Sequence, residues 1–397
     1  MGSVGRKVVE DICSNPPTHF ELWWITDSSK LYARNDGKAF NRSDINWILK
    51  SKARGSKNSA HPSAPPSLKL TKFQSLRDEI SLLEEEIGSE PKNWMIIDST
   101  HMDAAGCYKI SSRMMGVSAL ITANKTGWAN RRYCSRLFSL ATESKTLLSL
   151  NCTLGVWADQ LEYVPLLDSI LGRREGVVVK RDNSSLNLFF ASVGGGLSAK
   201  EALARVVAGG YLEPGSIDLR PEVQDQIIKL RVLTNICATT TQFRAVVSER
   251  KIDQLAARLV LRADPEELAR WHLSGRKEGR YPTLVSSVRI NGVDKTIDSD
   301  ASFMELEKSN PLAMDLYGKN AISIQITGSG EFVNAGYGGA PKTAKKLLWE
   351  ADRAARLSQK LKQRNWKKFD PIPIMTAVKL NDLDAMEKQK LLFSKIC

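Results

Sequence analysis

Short apolar segments that alternate with longer amphipathic stretches constrain the fold of this chain more than any other sequence feature. Two of these segments, Trp94–Asp98 (WMIID) and Val117–Thr122 (VSALIT), have the length of strands. Each is followed by a stretch with helical spacing, near residues 101–115 and 130–142. Strands that alternate with helices favour a parallel sheet, because a parallel connection needs a crossover, which a helix supplies. This part of the chain is therefore predicted to be an α/β domain.

Four further segments organise the residues before this alternation. Residues 1–16 begin with glycines and continue as an amphipathic helix, and residues 19–26 (HFELWWIT) are apolar and aromatic, as in a buried strand. Residues 51–68 are rich in Ser, Pro and Lys and are predicted to be a loop insertion. A charged helix is expected over residues 73–86.

The second half of the chain changes character. Ser198 and Glu201 have the spacing of a capping box, which predicts a helix that ends at Gly209 and Gly210, and Pro221 is well placed to open another helix. Further helices are expected near residues 252–261 and 265–272, and extended segments near residues 281–290 and 321–327. This mixture predicts an α+β domain.

These elements predict a division of the chain into four parts. An α/β domain is expected over residues 1–150 and an α+β domain over residues 151–335. A C-terminal helix over residues 336–355 is expected to return to the first domain, and residues 356–397 are interpreted as a basic tail.

Composition excludes several classes of protein. With 397 residues, 42% of them hydrophobic and 25% charged, the chain is predicted to be soluble and globular, with two domains. No apolar run approaches the roughly 18 residues that a membrane span needs, and no secretory signal is recognisable at the start. The six cysteines are scattered and only four histidines are present, so we expect a reducing, cytoplasmic location and no bound metal.

The net charge of +13 raises the question of nucleic acid. The excess is concentrated in two basic segments, at residues 50–57 and 345–368. We interpret both as solvated surface, and attraction of an anionic cofactor or a polyanion is the alternative. Few aromatic residues interleave these segments, which argues against a stacking platform for nucleic acid.

A glycine pair at the start of the chain is a candidate phosphate-binding turn. Gly2 and Gly5 precede the first predicted helix, and Asp27 ends the next predicted strand. This pattern matches the second half of the GxGxxG fingerprint of dinucleotide-binding domains. The first glycine and the first strand of that fingerprint are missing, so an ordinary glycine-rich start is the alternative interpretation.

An acid and a lysine four residues apart form the second candidate. Asp225 and Lys229 share one face of a predicted helix. They could form a simple i,i+4 ion pair, worth about 0.3–0.5 kcal/mol. Alternatively, the acid orients a lysine that exchanges a proton with a substrate hydroxyl.

Taken together, short motifs in a consistent order resemble the homoserine dehydrogenase family over roughly residues 2–355. The matching segments are Gly2–Gly5, Ile97–Thr100, Thr122–Lys125, Thr153–Gly155, Ser184–Asn187, Gly210–Pro214 with the following Asp225 and Lys229, Asn310–Ala321, and Gly336–Ala344. The resemblance implies a Rossmann-like parallel-sheet domain, with its first strand apparently missing, and an α+β domain for substrate and dimerisation.

The resemblance also implies an activity, namely hydride transfer between NAD or NADP and homoserine or aspartate 4-semialdehyde. This reaction belongs to the biosynthesis of threonine, methionine and isoleucine. A homodimer that forms through the second domain is expected. Asp27 would favour NAD, whereas Lys30 could pair with the 2′-phosphate of NADP.

Site residues follow from the resemblance position by position. Lys229 is the implied proton-transfer group, Asp225 orients it, and Lys125 lies beside both cofactor and substrate. Glu213 and Asp218 would bind the amino group of homoserine, and Ser185 is either a substrate contact or a core-facing strand residue. The implied cofactor-binding residues are Gly2, Val4, Gly5, Asp27, Ser99, Thr100, Asn124, Lys125, Gly336 and Gly338.

The chain also departs from the family pattern. Trp157 and Gly215 stand where the family has a glycine and an acid, and Asn151 replaces an acid of a monovalent-cation site. These departures support an alternative function: a catalytically impaired homologue that binds a ligand or a partner. A polyanion-binding protein is the third possibility that the basic segments suggest.

Overall fold

The structure, a computed structural model, describes twelve segments of the chain. They are residues 3–23, 25–26, 30–36, 38–53, 64–72, 94–99, 117–144, 147–154, 175–212, 217–313, 319–327 and 330–363. The predicted helices over residues 73–86 and 101–115 lie outside them.

The described residues form strands and helices in two groups. The first group contains α1 (Ser3–Ser14), β1 (Ile25–Thr26), β2 (Lys30–Arg34), α2 (Arg42–Ala53), β3 (Leu68–Lys72), β4 (Trp94–Asp98), β5 (Val117–Thr122), α3 (Thr126–Ala129), α4 (Arg131–Ser144), β6 (Leu147–Ser149) and α5 (Asn151–Leu154). The second contains β7 (Glu175–Arg181), α6 (Ser184–Gly194), α7 (Ala199–Ala208), α8 (Arg220–Thr241), β8 (Arg244–Ala245), α9 (Glu249–Leu261), α10 (Pro265–Lys277), β9 (Arg280–Asn291), β10 (Thr296–Glu307), a 3-10 turn (Pro311–Ala313), β11 (Asn320–Ile326), β12 (Gly330–Gly336) and α11 (Ala340–Gln363).

A parallel sheet in the order β4-β5-β6 confirms the predicted α/β class. Ile97 of β4 lies opposite Ile121 of β5, which lies opposite Ser149 of β6. Helix α11 packs against both α1 and β5, and apolar side chains of all three elements belong to one core. The buried side chains of this core include Val8, Val9, Ile12, Ala119, Ile121, Leu347 and Ala351.

Strands β1, β2 and β3 form a separate antiparallel sheet. The predicted strand over residues 19–26 is largely wrong, because residues 20–23 are irregular and, of the residues described in this segment, only Ile25 and Thr26 pair, with Tyr32 and Leu31. Apolar residues of this segment contribute to packing without forming a strand: Phe20 and Leu22 pack against the core that contains Val8, Val9 and Ile12 of α1.

A six-stranded sheet in the order β12-β11-β7-β9-β10-β8 dominates the second half. Neighbouring strands are antiparallel, except for the short pair formed by β10 and β8. Val288 and Ile290 of β9 and Ile297 of β10 belong to the largest buried core, together with residues of α6 and α8. This arrangement agrees with the predicted α+β character.

The helix signals read from the sequence in this half are confirmed. Ser198 and Glu201 form the reciprocal hydrogen bonds of a capping box at the start of α7, which ends at Ala208, before Gly209 and Gly210. Helix α8 has Pro221 in its first turn. Helix α10 begins at Pro265, where Asp264 accepts hydrogen bonds from two main-chain N–H groups.

Three sequence predictions need correction. The loop predicted for residues 51–68 is shorter, because α2 extends to Ala53 and β3 begins at Leu68. Helix α11 continues to Gln363, so the first part of the predicted basic tail is helical. Ser185 lies in helix α6 and not in a strand.

Helix α8 joins the two groups of elements. The side-chain amide of Asn235 donates to the main-chain oxygens of Trp128 (3.1 Å) and Ala129 (2.9 Å) in α3. Because α3 begins directly after Lys125, this contact holds the end of β5 against α8.

Cysteines and long helices give two further observations. Cys13, Cys134, Cys152 and Cys237 are buried and take part in no disulfide, and they pack as small apolar side chains. Among the residues that the structure describes, no helix is both long enough and apolar enough to cross a bilayer.

Candidate active site

The carboxyl ends of β4 and β5 carry the polar turn that begins the site. The hydroxyl of Thr122 donates to Oδ2 of Asp98 (2.9 Å), and the main-chain N–H of Asn124 donates to that hydroxyl (2.9 Å). Oδ1 of Asn124 accepts a hydrogen bond from the N–H of Thr126 (2.9 Å). These bonds satisfy a buried turn and fix the backbone from which Lys125 projects.

Lys125 and Lys229 share the carboxylate of Asp225. Nζ of Lys125 lies 2.7 Å from Oδ1 of Asp225, and Nζ of Lys229 lies 2.7 Å from Oδ2. The first contact joins the edge of the parallel sheet to α8, whereas the second runs along one face of α8. The structure therefore brings together the three residues that the sequence predicted to be catalytic.

Residues directly after β7 close the other side of this cluster. The main-chain oxygen of Asp182 accepts a hydrogen bond from Nζ of Lys229 (2.8 Å). Oδ2 of the same residue lies 2.7 Å from Nζ of Lys180, and neither of these two side chains is exposed. Asp182 therefore contacts two lysines, one through its backbone and one through its side chain.

Asn183 connects the cluster to a further carboxylate. Its side-chain nitrogen donates to Oε2 of Glu222 (2.9 Å) and lies 3.4 Å from Oδ2 of Asp225. Its side-chain oxygen accepts from the N–H of Leu186 and so caps α6. Asn183 thus fixes the start of α6 and the acidic face of α8 relative to each other.

The charges of the cluster shift its pKa values in opposite directions. Burial opposes ionisation of Asp225, but Lys125 and Lys229 outweigh it and hold the pKa of this carboxyl well below its usual range. Burial likewise disfavours the charged form of Lys229, yet Asp225 and Asp182 together raise its pKa. Both residues are therefore charged at neutral pH.

Burial is the main cause of the pKa shifts of two neighbouring groups. Burial lowers the pKa of Lys180, although Asp182 opposes this effect. Burial raises the pKa of Glu222, and the hydrogen bond from Asn183 only partly offsets it.

Four other predicted site residues lie in described segments. Ser185 is buried in α6, and its hydroxyl donates to the main-chain oxygen of Tyr211 (3.2 Å). Asp218 accepts a hydrogen bond from the N–H of Arg220 (3.0 Å) at the start of α8. Gly336 ends β12, and the N–H of Gly338 donates to the hydroxyl of Ser184 (3.3 Å).

The predicted cofactor residues at the sheet are described only in part. Val4 and Gly5 lie in the first turn of α1, where main-chain N–H groups lack acceptors within the helix. Ser99 follows β4 directly, beside the turn that holds Asn124. Gly2, Asp27, Thr100 and Glu213 lie outside the described residues.

Sequence reasoning missed Lys180, Asp182, Asn183 and Glu222. Glu222 could have been found, because Glu222, Asp225 and Lys229 follow the spacing of one helical face. Lys180 also left a signal, since it directly follows the apolar run of β7 (EGVVVKR) and still lies within the strand. This signal was not recognised, because lysine side chains are rarely fully buried.

The arrangement has the parts of a proton-transfer site. Lys229 holds a proton in a partly buried position, and Asp225 fixes its ammonium group from one side. Lys125 places a second cation next to the carboxyl end of the parallel sheet, where α/β proteins bind their ligands.

Comparison by sequence finds no matching protein-family model and no matching curated protein. Comparison by structure finds several proteins that match nearly the whole chain. The homoserine dehydrogenase of Thermoplasma acidophilum is 17% identical with a TM-score of 0.57, and the match covers 89% of this chain and 97% of that one. A hyperthermophilic archaeal homoserine dehydrogenase in complex with NADPH is 18% identical with a TM-score of 0.55, covering 90% and 95%.

A third match has no assigned activity. A protein of unknown function from Candida auris is 15% identical with a TM-score of 0.60, covering 89% of this chain and 96% of that one. At these identities a structural match establishes the fold and not the activity. This chain has the fold of the homoserine dehydrogenases, a Rossmann-type parallel sheet combined with a second, α+β domain.

Proposed function

We propose that the protein is an NAD(P)-dependent oxidoreductase that interconverts homoserine and aspartate 4-semialdehyde. The observation that carries this proposal is the carboxylate of Asp225, which binds Lys125 at the edge of the parallel sheet and Lys229 in α8. A cofactor at the sheet and a substrate beside α8 would meet at this carboxylate.

The described residues fit a nicotinamide dinucleotide. The carboxyl ends of β4 and β5 present Ser99, Asn124 and Lys125 along one edge, and Val4 and Gly5 lie in the first turn of α1, whose main-chain N–H groups have no acceptor within the helix. Ser99, Asn124 and Lys125 would hold the nicotinamide half, and Val4 and Gly5 the pyrophosphate. When bound, the cofactor would supply or accept the hydride.

Lys229 is suited to move the proton that accompanies the hydride. Its ammonium group has three N–H bonds, of which one points to Asp225 and one to the main-chain oxygen of Asp182. The third is available to the carbonyl oxygen of a semialdehyde, which takes up this proton as it becomes the hydroxyl of homoserine. In the reverse direction, the neutral amine accepts the hydroxyl proton.

A substrate with an amino group needs carboxylate partners. Glu213 and Asp218 are the proposed ligands of the substrate ammonium, as the family resemblance implies, and the hydroxyl of Ser185 donates to the main-chain oxygen of Tyr211 (3.2 Å). Such a reaction would serve the synthesis of threonine, methionine and isoleucine in the cytoplasm. A homodimer through the six-stranded sheet completes the proposal.

An activity assay and a measurement of the oligomeric state test this proposal directly. The purified protein should oxidise homoserine with NAD or NADP, as followed by absorbance of the reduced nicotinamide, and light scattering should report a dimer. Binding of reduced cofactor without turnover would contradict the enzymatic proposal and favour the impaired homologue. Absence of cofactor binding would contradict both.

A further inference from the structure

An ion pair without solvent exposure lies behind the proposed proton-transfer lysine. The side chains of Lys180 and Asp182 are both 0% exposed, and Nζ of the first lies 2.7 Å from Oδ2 of the second. The register places Lys180 beside Ile322 of β11 and Ser286 of β9. Burying two charges costs desolvation that their attraction often only balances, so apolar residues would serve stability equally well.

The backbone of Asp182 gives this pair a connection to the site. Its main-chain oxygen accepts a hydrogen bond from Nζ of Lys229 at 2.8 Å, while its side chain is held by Lys180. Asp182 follows the last residue of β7 directly, so the ion pair anchors the backbone where the strand ends. Movement of this anchor would move the acceptor of Lys229.

The two acceptors of Lys229 determine where its reactive position points. Oδ2 of Asp225 (2.7 Å) takes one N–H bond and the main-chain oxygen of Asp182 takes another. The tetrahedral nitrogen then has one remaining direction, which holds a proton in the ammonium form and the lone pair in the amine form. With only one acceptor, the amine could rotate.

We propose that Lys180 and Asp182 are positioning residues that aim the transferable proton of Lys229 at the substrate oxygen. They contact no substrate and act through Lys229 alone. The inference rests on the proposed function, because it assigns a role within that reaction. It extends beyond the residues that the family resemblance implies.

The two charges of the pair act on Lys229 in opposite directions. The carboxylate of Asp182 stabilises the ammonium form of Lys229, whereas the ammonium of Lys180 repels it. Among the residues that the structure describes, the other titratable groups that act on these lysines are Asp225 and Glu222 on α8, Lys125 after β5, and Cys237 beside Lys180. They stay unchanged when the pair is altered.

Three variants separate a positioning role from a structural one: Lys180→Met, Asp182→Asn and the double variant. The measurement is kcat for semialdehyde reduction against pH, whose alkaline limb reports loss of the Lys229 proton. We expect Asp182→Asn to move this limb to lower pH and Lys180→Met to higher pH, each by on the order of one unit. The alkaline limb of the double variant should stay at nearly the pH of the parent's limb, because both charges are gone.

Rates provide a second readout. Each single variant should lower kcat by about 10- to 100-fold at its own optimum, because small displacements of a reacting group are costly, while the Kd for NADPH stays unchanged. Equal alkaline limbs and kcat values within about twofold in all three variants would overturn the proposal. Should a single variant not fold, the double variant still tests it, since it must lose kcat without a shift.

Asp44→Asn is the matched control. Asp44 is 2% exposed and pairs with Arg34 at 2.8 Å, so this variant also breaks a buried ion pair, but in the β2–α2 segment. It should lose stability and leave the alkaline limb in place. A shift of the limb in this control would mean that general destabilisation, and not the pair beside Lys229, moves it.

A parent protein without turnover would contradict the proposed function and leave this inference testable. Carbon-13 NMR of the lysine side chains, assigned with Lys229→Met, then reports the pKa of Lys229 directly. Opposite shifts in Lys180→Met and Asp182→Asn would support coupling of the pair to Lys229. Identical titrations in both would overturn it.

Discussion

Nζ of Lys125 lies 2.7 Å from Oδ1 of Asp225, across 100 positions of the chain. The lysine follows a strand of the parallel sheet, and the acid lies in the first half of α8. Since the same acid also binds Lys229, this contact fixes the distance between a ligand bound at the sheet edge and a ligand bound beside α8. Most of the predictions below follow from this shared carboxylate.

The first prediction concerns Lys229 as the proton-transfer group. Lys229→Ala should lower kcat for homoserine oxidation by about 10²–10⁴-fold, the usual size of general acid–base catalysis. The Kd for NADPH should barely change, because Lys229 lies in α8 and not at the sheet edge. Steady-state kinetics and fluorescence titration measure the two effects.

Lys251→Ala is a suitable control for this experiment. Lys251 lies on the exposed surface of α9, and none of the described residues forms an ion pair with its side chain. The control should retain full activity. Full activity in Lys229→Ala as well would contradict the prediction and show that Asp225 and Lys229 form an ordinary ion pair without a role in catalysis.

The second prediction concerns stability against acid. Lys125 and Lys229 depress the pKa of Asp225 in the folded state, whereas the unfolded chain has an ordinary value near 3.9. The stability that ionised Asp225 contributes is therefore present above pH about 4 and is lost as the pH falls towards the depressed value. Urea unfolding at several pH values should show this loss in the parent and a smaller one in Asp225→Asn.

Asp225→Asn should also be less stable at neutral pH, by about 1–3 kcal/mol. An amide offers one acceptor oxygen, and its NH₂ group would face the second lysine. Homoserine turnover should fall with it, since Lys229 loses a fixed acceptor. Unchanged stability at pH 7 would contradict the sharing of this carboxylate by two lysines.

Regular apolar patterns made part of the fold predictable from sequence. Strands β4 and β5 are short apolar runs, and α7 has a capping box with glycines behind it, so their positions followed from local signals. Helix α6 gave no such signal, because nearly all of its side chains are buried and no polar face marks its period. This is why Ser185 was placed on a strand.

The sequence alone predicted contacts between site residues only where their spacing matched the period of a helix. Asp225 and Lys229 share a face of α8, and their pairing could be read from spacing. Lys125 is distant from both in sequence, so its place beside cofactor and substrate was implied by the family resemblance alone, and its contact with Asp225 was not predicted. The Lys180–Asp182 pair escaped both routes, because charged residues are rarely fully buried.

The third prediction concerns the pH dependence of the two directions of reaction. Asp225 and Asp182 raise the pKa of Lys229, so this residue stays protonated at neutral pH. Semialdehyde reduction needs the protonated form, whereas homoserine oxidation needs the neutral amine. We therefore expect kcat for oxidation to rise from pH 7 to pH 10 by about tenfold per unit, while kcat for reduction stays level.

The reductive direction serves as the internal control of that experiment. General effects of alkaline pH on folding would lower both rates together. Parallel profiles in the two directions would contradict proton transfer by Lys229, whatever their shape.

The last prediction concerns Gly338, which the family resemblance assigns to cofactor binding. A Cβ atom at this position would lie 2.7 Å from Oγ of Ser184 and 3.3 Å from Nδ2 of Asn320. Asn320 is held in place, because its Oδ1 accepts hydrogen bonds from both Ser184 and Asn187. Gly338→Ala should therefore destabilise the protein by about 1–3 kcal/mol, as overpacking of a closed core does.

Two further variants isolate this steric cause. Gly195→Ala adds a Cβ whose nearest neighbours are main-chain oxygens at 3.4 Å, so it should change the free energy of unfolding little. Ser184→Ala in the Gly338→Ala background removes the oxygen that the new Cβ meets, and should restore part of the lost stability. If instead Gly338→Ala unfolds like the parent but binds NADPH more weakly, the glycine is needed for the cofactor and not for its contact with Ser184.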